Sequence, residues 1–360
     1  MRAGIGVALL TILACACGNR DTLLLRDFDP RPTLKVPAHH PQRARFPAID
    51  VHNHINDDRP GRSRADPAEI VKVLDAANVE TVVNLTGGWG ERLRRSIAEL
   101  SVAHPGRFVV FTQIDYAHLS EPGYLVRQLR ESVAAGARGV KVLKDLGLSV
   151  RDERGALIAI DDPRLDPVWE EAGALGVPVA FHTADPDAFF LPVDARNERY
   201  EELRTHPGWS FAPGRGFPSK PELLAARNRV IARHPRTQFV GLHVANHPED
   251  LDEVARWLDT YPNLVVETGG RLAELGRQPR HARAFILAYQ DRVLFGTDAF
   301  PSPAMYRRWF RFLETDDEYF PYADVPGDQG RWNVYALDLP DDVLRKVYHD
   351  NAARLLGLQR

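Results

Sequence analysis

The chain alternates short apolar segments with longer amphipathic ones, and this alternation constrains its fold more than any other feature. Segments rich in β-branched residues, with the length of strands, lie at 48–54, 79–86, 108–115, 139–144, 177–183, 239–245, 264–268 and 293–298. Segments with helical spacing lie at 66–77, 91–103, 121–135, 221–233, 248–260, 281–290 and 341–356. Alternating strands and helices predict an α/β fold, here a (β/α)8 TIM barrel. A doubly wound open sheet is the alternative, disfavoured because no Gly-rich phosphate-binding turn follows the first strand.

Length and composition agree with one large catalytic or binding domain. A TIM barrel with long loops accommodates 360 residues as a single unit. Hydrophobic residues make up 44% of the chain, and the formal net charge is −3. This balance lacks the basic surplus of nucleic-acid-binding proteins, so we expect a small-molecule substrate and no nucleic-acid partner.

The N-terminus is typical of an export signal. Arg2 is followed by an apolar run over 5–14, which is too short to span a bilayer, and then by Cys15 and Cys17. The sequence around these cysteines resembles the lipobox of bacterial lipoproteins; an ordinary cleaved secretory signal is the alternative. We therefore predict an exported protein of the bacterial cell envelope, held at the membrane only by an N-terminal lipid anchor. The predicted domains are a signal peptide at 1–17, a Pro/Arg-rich tether at 18–45 and the barrel at 46–360.

Metal-binding residue types stand where predicted strands end. In a strand alternate side chains share a face, so Asp50, His52 and His54 are predicted to point the same way. The fifth, sixth and eighth predicted strands end in His182, His243 and Asp298, with a small residue two positions before each: Ala180, Gly241 and Gly296. Barrel enzymes carry their chemistry at these strand ends, so the side chains are expected to converge. Since no cysteine follows Cys17, nitrogen and oxygen atoms would hold the ion.

These residues resemble the amidohydrolase superfamily, in its amidohydrolase-related branch of aminocarboxymuconate-semialdehyde decarboxylase-like metal-dependent barrels. The resemblance covers about 46–358, and its most specific parts are the sequence DVHNH at 50–54, His182, His243 and the sequence GTD at 296–298. The segment VYHDNAARLLG at 347–357 also resembles the C-terminal helix of this branch. It implies that one divalent metal is bound by His52, His54, His182 and Asp298. Zn²⁺ is the expected ion, with Mn²⁺ or another transition metal as alternatives. The resemblance also implies that His243 acts as an acid/base or substrate-polarising group. By its own chemistry, Asp298 can bind the metal and accept a proton from a metal-activated water.

The fourth strand carries two lysines on opposite faces. Lys144 lies nearer the strand end than Lys141 and is predicted to bind substrate. Some amidohydrolases use a carbamylated lysine of this strand to bridge two metals, whereas the single-metal branch does not. The alternative is that both lysines lie on the surface or form salt bridges. The sequence therefore constrains the presence of a metal more than it constrains the number of metals.

Two long aromatic-rich segments, 185–220 after the fifth strand and 301–340 after the eighth, are interpreted as lids or pocket walls at the catalytic face. Loop packing or a homodimer contact are the alternatives.

Three functions fit this sequence. The first is a metal-dependent hydrolase that uses an activated water to attack a C–N, C–O or lactone bond. The second is a metal-dependent decarboxylase of a carboxylated aromatic or muconate-type substrate. The third is a non-catalytic surface lipoprotein that binds a ligand, which is disfavoured because every expected metal-ligand position is filled. The predicted export favours the hydrolase, because the decarboxylases of this branch belong to intracellular catabolism.

Overall fold

The computed structural model describes residues 23, 24, 27, 28, 30–55, 66–323 and 329–358. Its contacts divide the chain into two units, Met1–Lys35 and Val36–Arg360. In the first unit the described residues 30–35 have no regular secondary structure. Cys15 and Cys17 lie outside the described residues, so the lipid anchor and the export signal stay predictions. Within the described ranges, no helix has the length and apolar character needed to cross a membrane.

The second unit is built on parallel strands. Its strands are β1 Ala48–Asn53, β2 Val79–Asn84, β3 Phe108–Val110, β4 Thr112–Gln113, β5 Val140–Val142, β6 Val179–Phe181, β7 Phe239–Gly241, β8 Leu264–Glu267, β9 Val293–Leu294, β10 Phe320–Pro321 and β11 Asn333–Val334. Strands β1 to β3 form one parallel sheet and β4 to β9 another, each in chain order. Strands β10 and β11 form a separate antiparallel pair.

Backbone hydrogen bonds join the two parallel sheets into one ring. Strands β3 and β4 are interrupted only at Phe111, whose N–H donates to the Asn84 carbonyl (3.0 Å), while Thr112 pairs with Val140 of β5. At the other junction, Val51 N–H donates to the Phe295 carbonyl (3.0 Å) and Asp298 N–H to the His52 carbonyl (2.9 Å). The order of strands around the ring is therefore the chain order, and the predicted TIM barrel is confirmed.

Helices follow most strands. Their bounds are Pro67–Ala77, Gly90–Ile97, Tyr124–Ala134, Asp166–Ala174, Tyr200–Thr205, Lys220–Arg233, Leu251–Thr260, Leu272–Arg277, Pro279–Ala288, Pro303–Glu314, Asp341–Arg345 and Asn351–Leu356. The helix predicted over 91–103 ends in a π-helical turn, Ala98–Val102, and Lys346–Asp350 forms a similar turn before the last helix. Helix Asp166–Ala174 was not predicted, since its nine residues include a Pro and a Gly that weaken the periodic signal.

The first strand contains an irregularity that changes the direction of its side chains. Asp50 pairs with Val82 and Asn53 with Asn84, so β1 has one more residue than β2 between these pairs. An extra residue of this kind is a β-bulge, and it breaks the alternation of faces. The prediction that Asp50 shares a face with His52 and His54 is therefore wrong, and the bulge is the physical reason.

Residues that we assigned to the tether are bonded to the barrel. Ala44 N–H donates to the Ala77 carbonyl (2.9 Å), and Arg45 N–H donates to Glu314 Oε1 (3.0 Å). His39 N–H donates to Asp317 Oδ2 (2.8 Å), and the Asp317 side chain is fully buried. The compact unit thus begins at Val36 and not at Phe46.

A chain that starts at Val36 is expected to unfold with the same free energy as the full-length protein. A chain that starts at Phe46 should be less stable by about 1–3 kcal/mol, because the carboxylates of Glu314 and Asp317 each lose a partner. Urea denaturation of both truncated chains checks this prediction. Equal midpoints for the two would show that residues 36–45 contribute nothing to the stability of the barrel.

Candidate metal centre at the strand ends

Three potential metal donors meet at the carboxyl ends of β1 and β9. His52 Nε2 lies 3.3 Å and His54 Nε2 3.2 Å from Asp298 Oδ1. A tetrahedral ion with bonds of about 2.1 Å separates its donor atoms by about 3.4 Å, so these spacings fit one ion. His52 Nε2 is also buried without a hydrogen-bond partner, as expected of an atom that a cation would complete. The three side chains therefore fit a divalent metal.

The Asp298 carboxylate is placed by its own backbone and by Asp50. Asp298 has a left-handed φ of 52°, and its N–H donates to the His52 carbonyl (2.9 Å). The preceding Thr297 donates to Asp50 from both its N–H (3.0 Å) and its hydroxyl (2.7 Å). Tyr306 also donates to Asp50 (3.1 Å). Asp50 therefore orients the loop that carries Asp298 and does not itself join the donor group.

Glu267, at the end of β8, supports the centre, a role that was not predicted from the sequence. His52 Nδ1 lies 3.0 Å from Glu267 Oε1, and His243 N–H donates to the same oxygen (2.6 Å). Because an ionised carboxylate only accepts hydrogen bonds, His52 Nδ1 carries the proton and Nε2 keeps its lone pair. A Cβ at Gly269 would lie 2.6 Å from Glu267 Oε2, and one at Gly296 would overlap the same atom, so a larger residue at either position would displace the Glu267 carboxylate. The signal in the sequence that could have indicated this role was a Glu at the end of a predicted barrel strand.

Replacing Glu267 with Gln should lower metal affinity by about 10–100-fold, the usual effect of removing a carboxylate that orients a metal-ligating histidine. The amide keeps the size of the side chain but loses the charge that fixes His52 Nδ1–H. Titration of the apoprotein with Zn²⁺ against a competing chelator measures the affinity. An unchanged affinity would show that His52 does not bind the ion or needs no support from Glu267.

His243 and His182 face each other beside this donor group. His243 Nδ1 lies 2.7 Å from the Gly269 carbonyl, which can only accept, so Nε2 is left with its lone pair. That Nε2 lies 3.3 Å from His182 Nδ1 and 3.8 Å from Asp298 Oδ2. His182 Nε2 in turn lies 3.4 Å from Asp185 Oδ1.

The structure thus places His182 next to His243 and not against the other predicted ligands. Over the described ranges, no group of three or more potential ligand residues whose donor atoms all lie within 4.8 Å of one another includes His182. Its assignment as the fourth ligand stays a prediction from the family resemblance.

Three histidines of the site are uncharged and Asp298 is ionised at neutral pH. Burial lowers the pKa of His54 to about 4 and that of His182 to about 3. Burial, followed by the charge of Arg271, holds the pKa of His243 well below its usual range. Burial acts to raise the pKa of Asp298, but His52, His54 and His243 outweigh it and hold that pKa well below the usual range. Unprotonated imidazoles and an ionised carboxylate are the forms that bind metal.

The backbone at His243 is strained. His243, Val244, Ala245 and Asn246 all have left-handed φ values between 53° and 58°. This conformation costs about 1–2 kcal/mol for each non-glycine residue. Hydrogen bonds hold the turn: Asn246 accepts from Thr183 N–H (3.0 Å) and donates to the Ala184 carbonyl (2.6 Å), and the buried Arg227 guanidinium donates to the Ala245 carbonyl. Strain held in this way is typical of functional sites.

The two lysines of the fourth barrel strand have different surroundings. Lys144 Nζ lies 2.5 Å from Asp185 Oδ2 and about 6 Å above the rings of Trp209 and Phe211. Lys141 is 1% exposed, and its charge lowers the pKa of both His54 and His182, so it lies on the inner side of the barrel near these histidines. Lys144 as a substrate-binding residue stays a prediction, but in this structure its ammonium is already paired.

The two long loops after β6 and β9 contact each other. Arg331 forms a salt bridge with Glu201 (2.9 Å), and the Arg199 guanidinium lies 5.2 Å from the Trp332 ring centre. Arg199 is buried and bonded to Glu202 (2.7 Å) and to Glu274. Several charged and aromatic residues of these segments therefore serve to pack one loop on the other. Loop packing is one of the alternatives given above for the two segments.

Comparisons with known proteins identify the family. The amidohydrolase family profile matches residues 49–358, which is most of the chain, and the chain belongs to this family. Its members are enzymes that usually bind metal. A comparison with curated proteins finds no match.

Solved structures share the fold. The chain is 21% identical to 2,6-dihydroxybenzoate decarboxylase from Rhizobium, with 87% of this chain and 99% of that chain covered and a TM-score of 0.55. A TIM-barrel protein from Bordetella bronchiseptica is 20% identical over 86% of this chain and 98% of its own, with a TM-score of 0.51. An amidohydrolase from Burkholderia multivorans with bound zinc is 16% identical over 87% and 99%, with a TM-score of 0.52. At these identities the likeness concerns the fold.

Proposed function

We propose that this chain is a metal-dependent hydrolase that cleaves a C–N, C–O or lactone bond in a small molecule. The convergence of His52 Nε2, His54 Nε2 and Asp298 Oδ1 within 3.2–3.3 Å carries this proposal. Two imidazoles and a carboxylate favour Zn²⁺, with Mn²⁺ or another transition metal as alternatives. When bound, such an ion supplies a Lewis acid and lowers the pKa of water to about 7.

The protein's own groups are suited to move protons from water. Asp298 is ionised, and its side chain is 28% exposed, so its free oxygen can accept a proton from a water at the mouth of the barrel. His243 presents an unprotonated Nε2 on the other side of Asp298 Oδ2 and is the second acceptor. Glu267 and Asp50 keep these groups in place through His52, His243 and Thr297.

The protonation state also bears on the decarboxylase alternative. Loss of CO2 leaves a carbanion that must take a proton, so a decarboxylase needs a positioned acid, whereas hydrolysis first needs a base. Asp298 Oδ2, which lies 3.8 Å from His243 Nε2, offers a carboxylate oxygen as a proton acceptor beside the donor group. This acceptor supports hydrolysis over decarboxylation.

Metal analysis of the purified protein, followed by assays on amides, esters, lactones and aromatic acids with and without chelator, tests the proposal. We expect one equivalent of a divalent ion and chelator-sensitive hydrolysis of at least one class. Release of CO2 from an aromatic acid without hydrolysis of any other substrate would establish the decarboxylase instead. A fully loaded protein without turnover would favour the binding lipoprotein.

The proposed setting is the bacterial cell envelope. The lipobox-like sequence around Cys15 and Cys17 supports a lipid anchor. Replacing both cysteines with Ser should move the protein from the membrane fraction to the soluble fraction.

A further inference from the structure

We propose that Arg227 is a positioning residue for His243: its guanidinium holds the left-handed turn that aims the His243 imidazole at Asp298. Arg227 lies on the helix Lys220–Arg233, outside the donor group of the metal centre. This inference rests on the proposed function, in which His243 Nε2 accepts a proton, and it adds a residue that acts only through His243.

The turn that carries His243 has an unusual backbone. Its four residues, from His243 to Asn246, all have left-handed φ values, and for a β-branched residue such as Val244, with φ of 56°, this conformation is rare. A Cβ at Gly241 would lie 2.9 Å from Ala245 Cα, so the turn folds tightly back onto the end of β7. A backbone of this kind persists only where its surroundings fix it.

The turn decides where the imidazole lies. The His243 N–H donates to Glu267 Oε1 (2.6 Å), and His243 Nδ1 lies 2.7 Å from the Gly269 carbonyl. These two contacts leave His243 Nε2 facing Asp298 Oδ2 at 3.8 Å. Because the N–H and the ring belong to one residue, a shift of the turn would move both contacts and carry Nε2 away from Asp298.

Arg227 contacts the turn at its other end. It is 0% exposed, and its Nη1 donates to the Ala245 carbonyl. Its Nε and Nη2 both donate to Asn228 Oδ1 (3.1 and 2.8 Å), and its guanidinium carbon lies 4.6 Å from the centre of the Trp257 ring. The amide oxygen and the ring fix the plane of the guanidinium, so the N–H group that bonds Ala245 has one direction.

Arg227 is also a buried cation without a carboxylate partner. Through the part of the chain that the structure describes, no Asp or Glu oxygen lies within 4.0 Å of its guanidinium nitrogens, which bond an amide oxygen and a carbonyl instead. Burial of a charge without a counter-charge is unfavourable, and an apolar side chain would pack here without that penalty. A charged donor does form a bond about twice as strong as a neutral one. Its use at the Ala245 carbonyl is therefore expected where the position of the turn matters.

The motion of the His243 ring tests the proposal directly. In full-length protein with ¹⁵N-labelled histidine, NMR measures the rate at which the His243 Nδ1–H exchanges with water, and His243→Asn identifies the signal. Arg227→Met is the test variant, because it keeps the length of the side chain and removes its donors, and Arg227→Lys keeps the charge without the planar fork. Arg292→Met is the matched control: Arg292 donates to the carbonyls of Leu264 and Tyr261 (both 2.7 Å), at the opposite end of the barrel strands.

We expect Arg227→Met to accelerate exchange of the His243 Nδ1–H by about 10–100-fold, the effect of one lost charge-assisted hydrogen bond. Arg227→Lys should give a smaller acceleration, and it keeps the test decisive if Arg227→Met fails to fold. Arg292→Met should lower the thermal midpoint without changing the exchange at His243. Unchanged exchange in both Arg227 variants, or equal acceleration by Arg292→Met, would overturn the proposal.

Kinetics supply a second measurement on the best substrate of the panel. Arg227→Met should lower kcat by about 10-fold while KM and metal content stay the same, and it should lower kcat no further when His243 is already Asn. An equal loss of kcat with and without His243 would show that Arg227 does not act through this histidine. The exchange rates do not depend on hydrolysis, so a failure of the proposed function would be seen separately.

Discussion

Replacing Asp298 with Asn is expected to abolish most of the activity and to release the metal. Asp298 Oδ1 lies 3.3 Å from His52 Nε2 and 3.2 Å from His54 Nε2. The carboxylate is also the proposed acceptor of a proton from water. Loss of a positioned base lowers kcat by about 10²–10⁴, and loss of a ligand adds to this. Metal content and kcat of the purified variant measure both effects, with hydrolysis followed on the best substrate of the panel.

Asn is the informative replacement because it tolerates the left-handed backbone that position 298 requires. Asp338→Asn is a matched control: Asp338 is exposed and also left-handed, with φ of 45°, but lies outside the donor group. We expect Asp338→Asn to keep full metal content and activity. If the Asp298→Asn enzyme keeps its metal content and its activity, Asp298 does not belong to the metal centre, and the proposed arrangement is contradicted.

The barrel was predictable because its signals are local. Each strand is a short β-branched run, and most runs are separated from the next by a segment with helical spacing, so both periodicities are readable without knowledge of the contacts. The structure differs from these predictions where contacts with other parts of the chain set the local geometry. The β-bulge in β1 turns Asp50 toward Tyr306, and helix Asp166–Ala174 forms on packing despite its Pro and Gly. The sequence also misplaced the start of the compact unit, because the bonds of His39 and Arg45 join residues far apart in the chain.

The sequence predicted the part of the candidate site that follows from the convergence of strand ends. His52, His54 and Asp298 lie together because the ends of parallel strands in a barrel form one rim. Glu267 lies on the same rim, but its contribution became evident only from its bonds to His52 and His243. The position of a residue at a strand end does not show in which direction its side chain points.

The side chains of His182 and Lys144 illustrate that limit, since the His182 ring and the Lys144 ammonium both contact Asp185. Asp185, three positions after the strand-end His182, thus lies against both side chains, and the strand pattern did not show this contact. The family resemblance assigns His182 to the ion, and the position of Asp185 behind its ring is an arrangement common among metal-ligating histidines.

His182 and His243 should therefore respond differently to replacement. His243 Nε2 and His182 Nδ1 face each other at 3.3 Å, and a proton on His182 Nε2 donated to Asp185 leaves the lone pair of His182 Nδ1 available to a metal ion. We expect His182→Ala to lose the metal and the activity together. His243→Asn should keep about one equivalent of metal, because the other donors complete the shell, and should lower kcat by about 10²–10⁴ through loss of the proton acceptor.

The Asn replacement at His243 again suits a left-handed position, where φ is 58°, so a loss of activity would not reflect a collapse of the strained turn. His281→Asn is the control, since His281 is exposed and paired only with Asp252 (2.8 Å) among the described residues. Metal analysis and kcat of the three variants decide the outcome. If His243→Asn loses its metal to the same extent as His182→Ala, His243 is itself a ligand, and Asp298 then remains the base on which hydrolysis depends.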